Sequence, residues 1–225
     1  MILSSSTYKT ASDINTAMSR VYLNMMLAVL TSMLVAMFVA SSPALMNFFF
    51  TGIMRWVVIF APLVAIIAIS ILLNTTDSKS VAWLCLLGFS ALMGLSFSAI
   101  FVVYTTASIV SAFMSGAVLF AVLSFYGYFT KRSLDSWWQF LFIGLIAVII
   151  ASIVNVFVGS SVLTMVVSAC AIIVFLGLTA YDTQKIREMI STDQIGIVEV
   201  RGALTLYMDF INIFLSILQL FGNKE

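Results

Sequence analysis

"TLYMDFINIF", residues 205–214, sets one carboxylate, Asp209, inside an apolar run that extends over 203–222. A membrane-spanning helix needs about 20 mostly apolar residues, so this run is long enough to cross a bilayer. The acid inside it poses the question of the whole chain. A carboxylate near mid-membrane costs about 2.5–3.5 kcal/mol on insertion scales, so it must face a bundle interior and have a partner there.

The surrounding chain supplies the bundle. Of 225 residues, 63% are apolar and 8% charged, and mean hydropathy is +1.18. Soluble domains have roughly half their residues apolar and roughly a quarter charged, so this composition predicts an all-α, polytopic membrane protein. Seven runs meet the length criterion: 22–40, 54–73, 81–103, 107–129, 137–158, 161–182 and 203–222. The first is longer than a signal-peptide core and lacks an A-x-A site, so it reads as a span. The chain divides into an N-terminal segment 1–21, a seven-helix domain 22–222 and a short tail 223–225. Connections are short except 41–53 and 183–202. Pro62, inside the second span, predicts a bend there through a lost backbone hydrogen bond.

Several function classes are excluded by what is missing. The net charge of +1 gives no field to recruit nucleic acid. There is no histidine, and Cys85 and Cys170 lie in apolar runs as packing residues, so no metal set or cofactor is expected. No nucleophile sits beside a base, which argues against an enzyme. Both prolines lie early and no inverted repeat is evident, which argues against a proton-coupled transporter.

Lys and Arg orient the bundle. Lys9, Arg20, Lys79, Lys131, Arg132, Lys185, Arg187 and Arg201 fall on one side, eight of the ten basic residues; Arg55 and Lys224 fall on the other. This predicts a cytoplasmic N-terminus and an external C-terminus. Trp56, Trp83, Trp137 and Trp138 at span ends form an interfacial belt. Ser90, Gly94 and Ser98 recur every four residues on the third span, the spacing of a face that lets helix backbones approach closely.

Seven of the nine acids, Asp13, Asp77, Asp135, Glu188, Asp193, Glu199 and Glu225, fall in loops or tails; Asp182 and Asp209 do not. Asp209 lies eight residues beyond Arg201, roughly 12 Å at 1.5 Å per residue, too deep for a first-turn acid held by the helix dipole. The sixth span continues through "TQKIREM" without a breaker. Spans six and seven are antiparallel, and Asp182 and Asp209 are equidistant from a point beside Gly196. They can therefore meet. Carboxyls in contact cannot both ionise cheaply and share a proton, which makes a pH sensor without histidine. Thr205 and Asn212 share the face of Asp209, Tyr181 adjoins Asp182, and Asn155 is the remaining deep amide; these residues make a supporting polar cluster. The plainer readings stand beside this one. Asp182 could be an interfacial acid paired with Lys185 or Arg187, Asp209 a structural hydrogen-bonding group, and Asn155 and Asn212 interhelical links.

"GLTAYDTQKI" at 177–186 and "GALTLYMDFINIFLSILQLFG" at 202–222 resemble the paired acidic signatures of the Bax inhibitor-1 (transmembrane Bax inhibitor motif) family. The likeness continues through "GLSFSAIFVVYT" at 94–105, "SFYGYFTKRSL" at 124–134 and "FIGLIAVIIASIVNVFV" at 142–158, and covers nearly everything after residue 20. The lack of a basic tail is similar to bacterial members. The resemblance implies a seven-helix fold with the seventh helix central. It also implies a pH-sensitive Ca²⁺ leak across the inner membrane, gated by the aspartyl pair, here Asp182 and Asp209. Both would line the Ca²⁺ path, with Ca²⁺ as permeant ion. Some relatives are linked instead to a membrane-bound AAA protease. That role would make the chain a membrane regulator, with residues 1–20 and the 183–202 loop as its contact surface. Two departures stand out: Ser133 in "TKRSL" occupies a position that is often acidic, and 57–73 offers no arginine to latch the pair.

Overall fold

The computed structural model describes residues 10–76, 78–192 and 195–224. Among them the chain forms helices α1 (Ala11–Ala40), α2 (Pro43–Phe50), α3 (Met54–Thr75), α4 (Lys79–Phe97), α5 (Ile100–Val103), α6 (Thr106–Phe129), α7 (Trp137–Val158), α8 (Ser161–Thr192) and α9 (Ile195–Phe221). No strand is present among the described residues. Seven spans are long and apolar enough to cross a membrane, with α4 and α5 together making one of them. The protein is an all-α, polytopic bundle.

Its centre is α9, which packs against α8, α1, α6 and α4. Within its most apolar stretch 61% of residues are buried, against 33% or less in every other span. The outer helices α3 and α7 lie at the periphery, α3 on α4 and α7 on α8. Their outward faces are almost wholly apolar, as lipid-facing surfaces must be. Phe89 and Phe113 meet Tyr207 and Phe210 of α9 edge to face, so aromatic rings from two sides clamp the central helix.

Local chemistry fixes the helix ends. Thr10 and Asp13 form a reciprocal capping box at the start of α1, satisfying two orphan donors. Pro43 opens α2, where its missing N–H costs nothing, and Ser42 caps the same turn. Gly159, with φ +65°, ends α7 in the left-handed region that L side chains avoid.

The two long connections carry helix among their described residues. Residues 41–53 hold α2. Residues 183–192 continue α8, and α9 begins at Ile195. The 183–202 stretch is too polar to count as a span, but it contains no proline and only glycines that a helix tolerates, so α8 and α9 both extend beyond the apolar zone. The first helix likewise begins at Ala11, inside the 1–21 segment.

The small-residue face of α4 does what its spacing predicts. A Cβ placed on Gly94 would fall 2.5 Å from the Ser32 carbonyl oxygen and 2.9 Å from its Cα. Only glycine lets α1 and α4 come this close. Pro62 leaves a second signature. It cannot donate to the carbonyl of Val58 one turn back, and that residue is 2% exposed. Ser96 Oγ of α4 donates to the Val58 oxygen at 2.8 Å and repairs the gap.

Candidate aspartyl site

Helices α8 and α9 form an antiparallel hairpin. Gly202 makes it tight: a Cβ there would meet Ile186 Cγ2 at 2.8 Å. Two turns further along α9, Asp209 faces Asp182, and the two side chains lie within hydrogen-bonding reach. At the far end of the same interface Ser168 Oγ donates to Gln219 Oε1 at 3.1 Å. The equidistance of the acids from Gly196 thus describes the observed register.

Asp209 is 4% exposed, and no N–H or O–H donor from the rest of the described structure reaches its buried Oδ2. Asp182 is half-buried. Ionised carboxylates only accept hydrogen bonds, so a bond between two of them requires a proton on one. Two carboxyls placed this close in an apolar interior ionise together only at high cost.

The cations once considered for Asp182 are engaged elsewhere. Lys185 Nζ bridges Asp135 at 2.5 Å and Glu188 at 2.9 Å. Arg187 donates to the Tyr128 carbonyl at 2.8 Å. Asp135, in the connection between α6 and α7, has its carboxyl held below the usual aspartate range by hydrogen bonds from Lys185 and Ser133. Arg55 lies over the Trp56 ring at 5.0 Å, as an interface anchor does.

The supporting cluster is corrected by the structure. Asn155 is three residues from the end of α7. Its Nδ2 donates to Thr164 Oγ1 at 2.6 Å, and its Oδ1 accepts from the Ser160 N–H at 3.1 Å. It ties the α7–α8 turn, at the opposite end of α8 from Asp182. Tyr181 stacks on Trp138, centroids 5.4 Å apart. Thr205 is exposed and bonds back to the Arg201 carbonyl at 3.2 Å. Asn212 donates to the Met208 carbonyl at 2.8 Å. Asn155, Thr205 and Asn212 satisfy polar atoms within their own helix or turn, so none of these three is bonded to the acids, while Tyr181 stays next to Asp182 with its ring on Trp138.

Glu199, placed in a loop by sequence reasoning, is 1% exposed inside α9. It accepts from Arg20 Nη1 at 3.3 Å and Lys79 Nζ at 3.2 Å, tying α9 to α1 and α4 at once. A signal was there: Glu199 falls at helical spacing with Ala203, Leu206, Phe210 and Ile213, all buried. A chain of buried hydroxyls was also missed. Tyr22 Oη, Ser124 Oγ and Thr183 Oγ1 follow at 2.6 and 2.9 Å, linking α1, α6 and α8 beside Asp182. Residues scattered across three spans give no local pattern to read. Asp77, Asp193 and Glu225 lie outside the described residues.

Comparison with known proteins agrees with this architecture. The chain is 40% identical over 219 residues to Inner membrane protein YbhL of Escherichia coli, covering 94% of this chain and 93% of the relative. It is 35% identical over 215 residues to Uncharacterized protein RP147 of Rickettsia prowazekii, covering 92% and 89%. A Deinococcus radiodurans protein of uncharacterized function is 38% identical over 152 residues, 66% of each chain. Residues 14–225 match the family described as "Inhibitor of apoptosis-promoting Bax1". A seven-span bundle whose central helix meets its neighbour through two acids, with a family match over almost its whole length, belongs to the Bax inhibitor-1 family.

Proposed function

We propose that the protein is a pH-regulated Ca²⁺ leak of the bacterial inner membrane, gated by Asp182 and Asp209. The observation that carries this reading is the facing acid pair at the contact of the central helix with α8. A proton is the cheapest ligand such a pair can exchange. Adding a second proton removes the negative charge; removing the shared one sets two like charges against each other in an apolar interior. Either step changes the force between α8 and α9. Carboxylate oxygens suit Ca²⁺, which takes about 6–8 oxygen ligands. Among the described residues no third Asp, Glu, Cys or His joins the pair. Two carboxylates favour a brief stop on a path over a storage site. The inner-membrane assignment draws on the Escherichia coli relative, Inner membrane protein YbhL, and a cytoplasmic N-terminus follows from the basic-residue asymmetry.

The alternative reading is a membrane regulator that restrains a membrane-bound AAA protease through residues 1–20 and the 183–202 stretch, whose 183–192 and 195–202 are helix. Purified protein in Ca²⁺-free liposomes with an internal Ca²⁺ dye separates the two. A leak gives protein-dependent Ca²⁺ entry that changes with pH. No entry above empty liposomes at any pH between roughly 5 and 8 would move the assignment to partner binding.

A further inference from the structure

Helices α1 and α6 both flank the central helix, yet at the basic end of the bundle they are held apart. Two hydrogen bonds bridge them there, Tyr22 to Ser124 and Tyr128 to Asn15. Between them opens a cavity of about 450 Å³ whose walls include Met18, Phe120, Ala121 and Phe125. It adjoins a second cavity of about 850 Å³, since Asn15, Tyr128 and Phe129 line both. The second has a mixed polar and apolar lining that includes Lys131 and Arg187.

The charges of this lining are unbalanced. Its one acid, Glu188, is held by Lys185 at 2.9 Å. Neither Lys131 nor Arg187 forms an ion pair among the described residues. Arg187 is oriented, not neutralised: it donates to the Tyr128 carbonyl and lies 5.1 Å over the Tyr128 ring. No acid lines the first cavity. From Phe129 to Phe120 the groove descends nine residues of α6, roughly 13 Å at 1.5 Å per residue, into the apolar zone. A cationic mouth at the interface above an apolar slot of that depth matches an anionic headgroup with its acyl chain, and basic pockets between spans bind such lipids.

We propose that the groove between α1 and α6 holds one anionic phospholipid, its phosphate between Lys131 and Arg187 and an acyl chain over Met18, Phe120 and Phe125. The site is independent of the Ca²⁺ reading. Tyr22 and Ser124 line its wall, and Ser124 is hydrogen-bonded in turn to Thr183 of α8, the residue after Asp182.

Native mass spectrometry of the purified full chain, titrated with phosphatidylglycerol and with phosphatidylcholine of the same acyl chains, tests it. Phosphatidylglycerol binds about thirty-fold more tightly, since each of the two basic residues near a membrane surface contributes roughly a five-fold preference. The double variant Lys131→Gln/Arg187→Gln loses about thirty-fold in phosphatidylglycerol affinity and leaves phosphatidylcholine unchanged. Exposed Lys131 has no described partner, so Lys131→Gln alone carries the test if the double variant does not fold, with a loss of about five-fold. Ala121→Trp fills the slot and weakens both lipids. Lys224→Gln, at the other end of the bundle, changes neither. Equal affinity for the two lipids, undiminished binding by the charge variants, or displacement by soluble glycerol phosphate as effective as by phosphatidylglycerol would overturn the proposal.

Discussion

Asp209 tolerates burial in an apolar bundle because the group facing it is another acid, and two acids can satisfy each other with one proton. That facing of the two acids was legible in the sequence, since the cost of a lone carboxylate and the antiparallel register both pointed Asp209 at Asp182. The side chains around them were not. Spacing of three or four residues puts Thr205 and Asn212 near Asp209 on α9, but it does not reveal that each would bond its own backbone, nor that the tyrosine ring at 181 would stack on Trp138. Glu199 was misread because charge was taken as a sign of a loop. Glu199→Gln keeps the shape but removes the acceptor charge from Arg20 and Lys79, both half-exposed. It should destabilise the protein by about 1–2 kcal/mol, discounted for the solvent around the cations, and thermal unfolding in detergent reads the shift. Asp135 gives the opposite expectation for pH. Its carboxyl titrates below the ordinary value of 3.8, so its ion pair stabilises the fold above that pH and is lost only as pH falls through the lowered value. Asp135→Asn should therefore leave any pH response between roughly 6 and 8 unchanged in a Ca²⁺ flux assay.

At the scale of elements, close helix approach and repaired breaks decide the packing. The spans were readable because about 20 apolar residues have few other uses. Their ends were less so: hydropathy marks where the membrane stops, and a helix continues until its backbone chemistry ends it. Thus α8 continues to Thr192, while Gly159 stops α7 at Val158. Pro62 and Ser96 offer a quantitative check. Ser96→Ala strands the buried Val58 carbonyl and should cost about 1–3 kcal/mol. In a Pro62→Ala background the helix regains the N–H that bonds this carbonyl, so the same change should cost well under half as much. Denaturation of the four proteins of this cycle measures the difference; equal costs in both backgrounds would show that Ser96 acts by some other contact. Gly94→Ala should destabilise by about 1–3 kcal/mol, because its Cβ meets backbone of α1, which cannot rotate away.

The whole molecule is organised so that the helix carrying Asp209 touches four others, and a change at the pair reaches α8 directly and α1, α4 and α6 through α9. Basic residues gather at one end, where Arg20 and Lys79 meet Glu199 and Lys185 meets Asp135. If that end is cytoplasmic, a C-terminal phosphatase fusion should be active outside and a C-terminal fluorescent protein dark. The central claim is that the shared proton sets the flux. Asp209→Asn preserves shape and hydrogen bonding but leaves Asp182 without a like-charge neighbour, so the pair no longer titrates as a unit. The most direct measurement is Ca²⁺ entry into liposomes against pH, from roughly 5.5 to 8.5, for the parent, Asp182→Asn, Asp209→Asn and the double variant. The account predicts a pH-dependent curve for the parent, flat curves for both single variants, and little further change in the double variant. Single variants that both keep the parent's pH curve would contradict it.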